Sequence, residues 1–120
     1  MSQQFAFWST PATHDPATVY AQLGEVPHIH GLDTLDLGRI DTALVGAFPA
    51  WRVESRRSAE VGQTMLGGPD GQVGIDVEYG PQYVIVTCHG GGMTEWNTII
   101  DTMQGLGLPL YDPQINERFA

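Results

Sequence analysis

The fold follows most directly from residues 73–112, VGIDVEYGPQYVIVTCHGGGMTEWNTIIDTMQGLGLPLYD. At its start, apolar residues alternate with Gly74, Asp76 and Glu78, which is the period-two pattern of a strand with one buried and one solvent-exposed face. Residues 80–82, Gly-Pro-Gln, predict a turn, because glycine tolerates positive φ and proline restricts φ. The stretch therefore opens with a half-buried strand and a tight turn.

The second half of this stretch predicts a central strand, a helix and a short edge strand. Residues 83–88 are apolar at both parities, which predicts a strand covered on both faces. Glycines at 90–92 end it, and Thr94 is the predicted N-cap of a helix whose apolar side packs on the sheet. That side consists of Trp96, Ile99, Ile100 and Met103. Residues 108–111 return as a short strand, and Pro109 places it at a sheet edge.

The N-terminal half predicts further strands and two helices. These elements are a strand at 4–9, a helix from Asp15-Pro16 to Gly24, a helix from Asp33 or Asp36 to Pro49, and strands at 51–55 and 61–66. The alternation in 51–55 gives its strand a charged outer face. The whole order predicts an α+β fold: a mainly antiparallel sheet of four to six strands with two or three helices on one face, ferredoxin-like with additions.

Length and charge limit the classes of protein that fit. The 120 residues suffice for one α+β domain over 1–120 with a core of its own. Five arginines and no lysine stand against 14 acidic residues, for a net charge of −9. This charge repels phosphate backbones and anionic lipid head groups, so we expect neither nucleic acid nor a membrane as partner. A basic protein partner is compatible with it, and solubility alone is the alternative explanation.

The single cysteine and the N-terminus indicate the compartment. Cys88 has no second cysteine with which to form a disulfide, as expected in a reducing environment. Its position in an apolar strand predicts an inert core thiol rather than a nucleophile. The N-terminus lacks a basic region, and no segment approaches the roughly 18 apolar residues of a membrane span. We therefore expect a cytoplasmic protein.

Three histidines are candidate metal ligands. His28 and His30 flank one residue, so on extended backbone both imidazoles point to the same side and can bind one metal. His89 and Asp33 are the further candidate ligands. The alternative is that the two loop histidines are ordinary packing or solvent-exposed residues.

A glycine run follows the third histidine. Residues 89–92, His-Gly-Gly-Gly, resemble the oxyanion loop of lipases and esterases. The chain has no Gly-x-Ser-x-Gly elbow, so the likeness does not predict a hydrolase. Glycines ahead of a helix can instead hold an anion through free N–H groups, or simply form a permissive strand-to-helix corner.

Four carboxylates are the predicted partner-binding residues: Glu54, Asp70, Asp76 and Glu78. Asp76 and Glu78 share the outer face of one strand, and we expect Glu54 and Asp70 across the sheet from them. Paired carboxylates can transfer protons or hold a cation, but catalysis needs a pocket that shifts their pKa. The pattern therefore favours an acidic patch that meets a basic partner, with solvation alone as the alternative.

Both ends of the chain and one central dipeptide resemble a group of small acidic bacterial proteins that close with Tyr-Asp-Pro-Gln. The matching segments are Phe-Ala-Phe-Trp at 5–8, Phe48-Pro49, and Gly-Leu-Pro-Leu-Tyr-Asp-Pro-Gln at 107–114. Some of these proteins resemble immunity members of toxin–immunity pairs, which bind and block a toxin delivered between competing cells. The resemblance implies a non-enzymatic protein whose partner is a cognate toxin, and it carries over no catalytic residue, cofactor or metal.

Two other hypotheses stay open. The first is a small metal-dependent or anion-binding enzyme that uses His28, His30 and His89. The second is a regulatory or assembly module whose exposed sheet edge pairs with itself. The sequence leaves the oligomeric state open.

Overall fold

The computed structural model describes residues 2–9, 15–23, 25, 29, 31–58, 61–69, 71–90, 92–112 and 117–119. Along the chain, the described elements are β1 (Ser2–Phe7), α1 (Pro16–Gln22), α2 (Leu37–Gly46), β2 (Arg52–Arg57), β3 (Gly62–Gly67), β4 (Gly74–Tyr79), β5 (Val84–His89), α3 (Met93–Gly105), β6 (Leu110–Asp112) and β7 (Glu117–Phe119). The predicted α+β class is confirmed, and β4 and β5 lie within a residue of their predicted positions.

The described strands form one antiparallel sheet in the order β2-β3-β4-β5-β1-β6-β7. β5 and β6 lie on either side of β1 and are joined by α3, which is one half of a ferredoxin-like arrangement. The other half is lengthened, because β2, β3, β4 and β5 follow one another as a meander. These extra hairpin strands are the additions that the element order predicted.

One end of the sheet differs from the prediction. β6 was expected at an edge because of Pro109, but it lies between β1 and β7. Pro109 precedes the strand, so its missing N–H costs no ladder bond. The three-residue strand β7 extends the sheet beyond the predicted four to six strands. It follows Asp112-Pro113, a dipeptide that favours a turn and the end of strand pairing, so the sequence predicts no strand after it.

The helices lie on both faces of the sheet, so the expectation of one helical face is wrong. α2 and α3 cover the larger core, to which β1, β3, β4 and β5 contribute their inward-facing side chains. On the other face, α1 and the segment after it enclose a smaller apolar cluster. That cluster consists of Ala6, Trp8, Val19, Ile29, Leu32 and Tyr111. It lies over β1 and β6, and only Ile85 of β5 joins it from the neighbouring strand.

Each helix begins at a capping group that the sequence supplies. Asp15 caps α1 and Asp36 caps α2, each side chain accepting a backbone N–H bond at 3.1 Å. Asp36, rather than Asp33, is therefore the start of the second helix. The predicted cap of α3 at Thr94 is wrong: Gly92 is the N-cap, and its N–H donates to Glu95 Oε1 at 3.1 Å. Because the helix starts two residues earlier than predicted, the Glu95 carboxylate can accept the N–H group of the N-cap residue, which would otherwise be free.

Candidate functional site

The outer side of β2–β5 is the candidate site, and we call it the open face. It consists of the side chains of these strands that point away from α2 and α3. The strand register places them in three rows: Arg52, Gly67, Gly74 and His89; then Glu54, Met65, Asp76 and Thr87; then Arg56, Gln63, Glu78 and Ile85. Strand spacing and rise give a surface about 19 Å wide and 20 Å long.

Alternation along the strands produces this face. In β4, Ile75, Val77 and Tyr79 are buried against the helices, while Asp76 is half-buried and Glu78 is exposed on the other side. β3 alternates in the same way. Because α1 covers only the β1 and β6 side of the sheet, the outward residues of β2, β3 and β4 remain accessible.

The structure brings three of the four predicted carboxylates onto the open face. Glu54 and Asp76 lie in the same row, separated by Met65, and Glu78 is two residues along β4 from Asp76. Met65 is 47% exposed, so an apolar side chain lies between the two carboxylates. Asp70 lies outside the described residues.

The open face also carries positive charge, and the acidic patch that the sequence predicted is therefore a mixed one. Arg52 and Arg56 flank Glu54 along β2 and point to the same side. Both arginines are exposed. The face thus has two carboxylates, Asp76 and Glu78, on β4 and alternating charges along β2. The alternation of Arg52, Glu54 and Arg56 is visible in the sequence. That these residues share one face with Asp76 and Glu78 depends on the strand register.

A groove of about 570 Å³ crosses one end of the open face. Its floor is formed by Gly67 of β3 and Gly74 of β4, which pair across the two strands and have no side chains to fill the space. Arg52 lies along this floor, since a Cβ added at Gly67 would be 3.6 Å from its Nη2 atom. On the opposite wall, His89 Nε2 is 2.9 Å from Asp76 Oδ2. The groove therefore offers a guanidinium on one side and an imidazole–carboxylate pair on the other.

Gly90 closes the end of this groove. It has φ of +74°, and a Cβ at this position would lie 2.6 Å from the carbonyl oxygen of Gln72. Only glycine fits such an approach without a backbone shift. The first glycine of the His-Gly-Gly-Gly segment is thus a packing requirement between the corner and the β3–β4 hairpin.

The contacts of the glycine run leave little space for the anion that the sequence suggested there. The Gly92 N–H already donates to the Glu95 carboxylate, which occupies the position that an external anion would take at the N-terminus of α3. Gly91 lies outside the described residues. The described contacts favour the permissive corner over anion binding.

The three-histidine metal site stays a prediction, and the described geometry weighs against it. His28 and His30 lie outside the described residues, but Ile29 between them bonds to Gln82, at the end of β5 opposite to His89. β5 alone separates these ends by about 17 Å. Asp33 bonds to Ser9 at that far end too. Among the described side chains, no group of three His, Cys, Asp or Glu residues is placed to hold a metal ion.

Cys88 is buried, as predicted, with 1% of its surface exposed. Desolvation raises the pKa of its thiol to about 12, and the nearby Glu95 carboxylate adds to the rise. The neutral thiol is the stable form, which suits a core residue and not a nucleophile.

We expect the Cys88 thiol to be unreactive in the folded protein. With a pKa of about 12, only about one thiol in 10,000 is ionised at about pH 8. A thiol-specific chromogenic reagent should therefore react only as fast as the protein unfolds. Reaction of the native protein at the rate of a free thiol would contradict this result.

The same shift predicts a loss of stability in alkali. The folded pKa is raised above the unfolded one, so the contribution of Cys88 is complete below about pH 9 and falls as pH rises toward 12, by up to about 1.4 kcal/mol per pH unit. Burial also raises the pKa of Tyr20, Tyr83 and Tyr111, whose losses begin nearer pH 10. Cys88→Ala is the control. It should remove the fall in the free energy of unfolding that begins near pH 9 and keep the fall that the tyrosines cause at higher pH.

Two polar clusters stabilise the fold, one partly buried around Asp41 and one buried around Gln82, and neither was predicted. Asp41 of α2 accepts hydrogen bonds at Oδ1 from Thr64 Oγ1 at 2.7 Å and from Tyr79 Oη at 2.8 Å. Gln82 is 3% exposed and bonds to the backbone of Ile29. A carboxylate within the apolar stripe of α2 was the one available signal for the first contact. Nothing local distinguishes Gln82 from an ordinary turn residue.

Comparison with known protein families finds no match for this chain, and comparison with curated protein sequences finds no significant similarity. No helix in the described ranges is both long enough and apolar enough to cross a membrane.

Proposed function

We propose that this chain is a binding protein that neutralises a cognate bacterial toxin domain by occlusion, and that the open face is its contact surface. The observation that carries the proposal is the uncovered outer side of β2–β4, where exposed charges surround Met65. An apolar side chain amid charged residues provides what protein interfaces use: a dry contact at the centre and polar groups at the rim.

The shape of the site favours a macromolecule over a small ligand. Small-molecule sites are concave and mostly apolar, and they enclose most of the ligand. The groove on the open face is open to solvent along its length and has four charged or titratable side chains in its lining, Arg52, Glu54, Asp76 and His89. A surface about 19 Å by 20 Å that has one charged groove and an exposed apolar side chain suits a protein that inserts a polar side chain into the groove.

The charges define the chemistry of the partner. Asp76 and Glu78 favour basic groups opposite β4, and Glu54 favours a basic group opposite the middle of β2. Arg52 and Arg56 favour acidic groups on either side of that point. The net charge of −9 attracts a basic protein from a distance and raises the association rate. The toxin assignment rests on the resemblance of both chain ends to immunity-like proteins and on the small acidic composition.

Charge reversal on β4 tests the proposal. With the product of the neighbouring gene as probe, we expect a complex in the nanomolar range, and we expect Glu78→Lys to slow association about tenfold at low salt and to reduce its salt dependence. Glu78 is exposed, so the change should leave folding intact. Association and dissociation rates measured by surface plasmon resonance over a salt series give the answer.

Asp101→Lys is the matched control. Asp101 is exposed on α3, on the other side of the molecule, and the substitution changes the net charge by the same amount. If the two variants slow association equally, only the overall charge matters and the interface lies elsewhere. Absence of any complex with the neighbouring product would refute the toxin assignment.

A further inference from the structure

The strand β2 forms one edge of the sheet and is unusually open. The described part of the chain pairs with it only through β3, over all six residues of the strand. Its side chains at 52–56 are exposed, including Val53 at 41%. It contains no proline or bulge, two of the devices that commonly prevent edge pairing. Its side chains on the open face are charged, but they alternate in sign, so they repel a second strand in one register and attract it in another.

The backbone groups on the free edge can be identified from neighbouring hydrogen bonds. The Ser58 N–H donates to Val61 O at 2.8 Å, in the same register as the β2–β3 pairs. Hydrogen-bonded pairs alternate in an antiparallel ladder, so residues 52, 54 and 56 direct their N–H and C=O groups to β3. The bond from Gly68 N–H to Val73 O at 2.8 Å shows the same alternation on the other side of β3, because it leaves residues 63, 65 and 67 to bond to β2. Val53, Ser55 and Arg57 therefore direct theirs outward.

A second copy of the strand can satisfy these groups about a two-fold axis. The axis is perpendicular to the sheet, so the residue at its centre pairs with itself. Two registers pair at least five strand residues of each copy: one centred on Glu54 and one centred on Ser55. Both satisfy the outward backbone groups, and the charges on the open face distinguish them.

Charge selects the register centred on Ser55. Centred on Glu54, the pairing places Glu54 opposite Glu54 and Arg52 opposite Arg56, so like charges meet throughout. Centred on Ser55, it places Glu54 opposite Arg56 twice. These pairs fall at non-hydrogen-bonded positions, where opposing side chains are closest. Within the described ranges, no ion pair inside the chain involves Glu54 or Arg56.

We infer that β2 is a self-association edge, through which two copies of this chain form one continuous antiparallel sheet in the register centred on Ser55. The two open faces then lie side by side on the same surface of the dimer. The partner proposed for the open face could meet either copy, and dimer formation does not depend on that partner.

The two single charge reversals give a sharp test. Glu54→Arg and Arg56→Glu each replace both interchain ion pairs by like charges, so we expect each to weaken dimerisation about tenfold or more. Mixing the two variants places opposite charges at both positions, and a heterodimer should form. Both residues are exposed, so folding should survive the changes. Sedimentation equilibrium of each variant and of the 1:1 mixture measures these outcomes, with circular dichroism as the check on folding.

Three results would overturn the inference. The first is a wild-type chain that keeps the mass of one copy up to about 1 mM. The second is a folded, mixed sample in which no heterodimer forms. The third is an Arg56→Glu variant that dimerises like the wild type, because a register centred on Val53 pairs Arg52 with Glu54 and does not use Arg56.

Discussion

Replacing Gln82 by methionine is expected to lower the free energy of unfolding by about 3 to 4 kcal/mol, because three buried hydrogen bonds to the backbone are lost together. Gln82 Oε1 accepts from the Ile29 N–H at 2.8 Å, and its Nε2 donates to Ile29 O and Leu32 O, both at 3.0 Å. Methionine fills a similar volume and offers none of these bonds. Urea unfolding should show a lower midpoint with an unchanged slope.

A second substitution at Gln82 separates hydrogen bonding from packing. Gln82→Glu keeps an acceptor for the Ile29 N–H but turns a carboxylate toward two carbonyl oxygens. Burial and these oxygens raise the pKa of the introduced carboxyl, so the variant should be more stable in mildly acidic than in mildly alkaline buffer, relative to the wild type.

Gln104→Met is the control, because Gln104 is exposed on α3 and its replacement should change stability by less than about 0.5 kcal/mol. If Gln82→Met costs no more than Gln104→Met, the hydrogen bonds of Gln82 contribute nothing net and the prediction fails.

Replacing Asp41 by alanine is expected to cost about 3 kcal/mol. Thr64 and Tyr79 are almost fully buried, and both hydroxyl groups donate to the same Asp41 oxygen. Without it, two buried donors lose a charged acceptor, a loss of about 1.5 kcal/mol or more for each bond. Chemical unfolding measures the change.

Partial substitutions show whether the shared oxygen is the cause. Asp41→Asn keeps a carbonyl oxygen as acceptor and should lose about half as much as alanine. Tyr79→Phe should cost less in the Asp41→Ala background than in the wild type, because the hydrogen bond between Tyr79 and Asp41 is already absent there. Asp101→Ala is the surface control. Additive losses for Asp41 and Tyr79 would show that the bond between them is not a source of stability.

The two hydrogen bonds of Asp41 also matter for the open face. Asp41 joins α2 to β3 and β4, the strands that carry Met65, Asp76 and Glu78 on their outer side. Ser55 Oγ lies 2.9 Å from Thr64 Oγ1, which continues the polar chain to β2. Strand twist and row spacing on the outer side therefore depend on a polar cluster on the inner side. A variant at Asp41 should be examined for binding only after its folding is established.

Most local elements were predictable because their signals are local. Alternation with period two located β2 and β4, and a run that is apolar at both parities located β5. Asp15 and Asp36 are capping residues that act within one turn. The wrong cap at Thr94 has a local cause as well, since Gly92 and Thr94 are both acceptable caps. The reach of the Glu95 side chain decides between them.

The candidate site was predictable only in part. Alternation placed Asp76 and Glu78 on the outer side of β4 and Glu54 on the outer side of its own strand. The arginines and Glu54 alternate in the sequence, yet nothing local shows that they share a surface with β4. The two-glycine floor of the groove likewise needs Gly67 and Gly74 to be neighbours across a ladder.

The sequence by itself determined the class of fold, the side of each strand that carries charge, and the burial of Cys88, because each depends on the spacing of residues within one element. Only the tertiary structure decided the strand order, the position of α1 on the second face and the partners of Gln82 and Asp41. Gln82 meets Ile29 across 53 residues, and Asp41 meets Tyr79 across 38. Contacts at such separations depend on how whole elements pack, and no pattern confined to one segment encodes them.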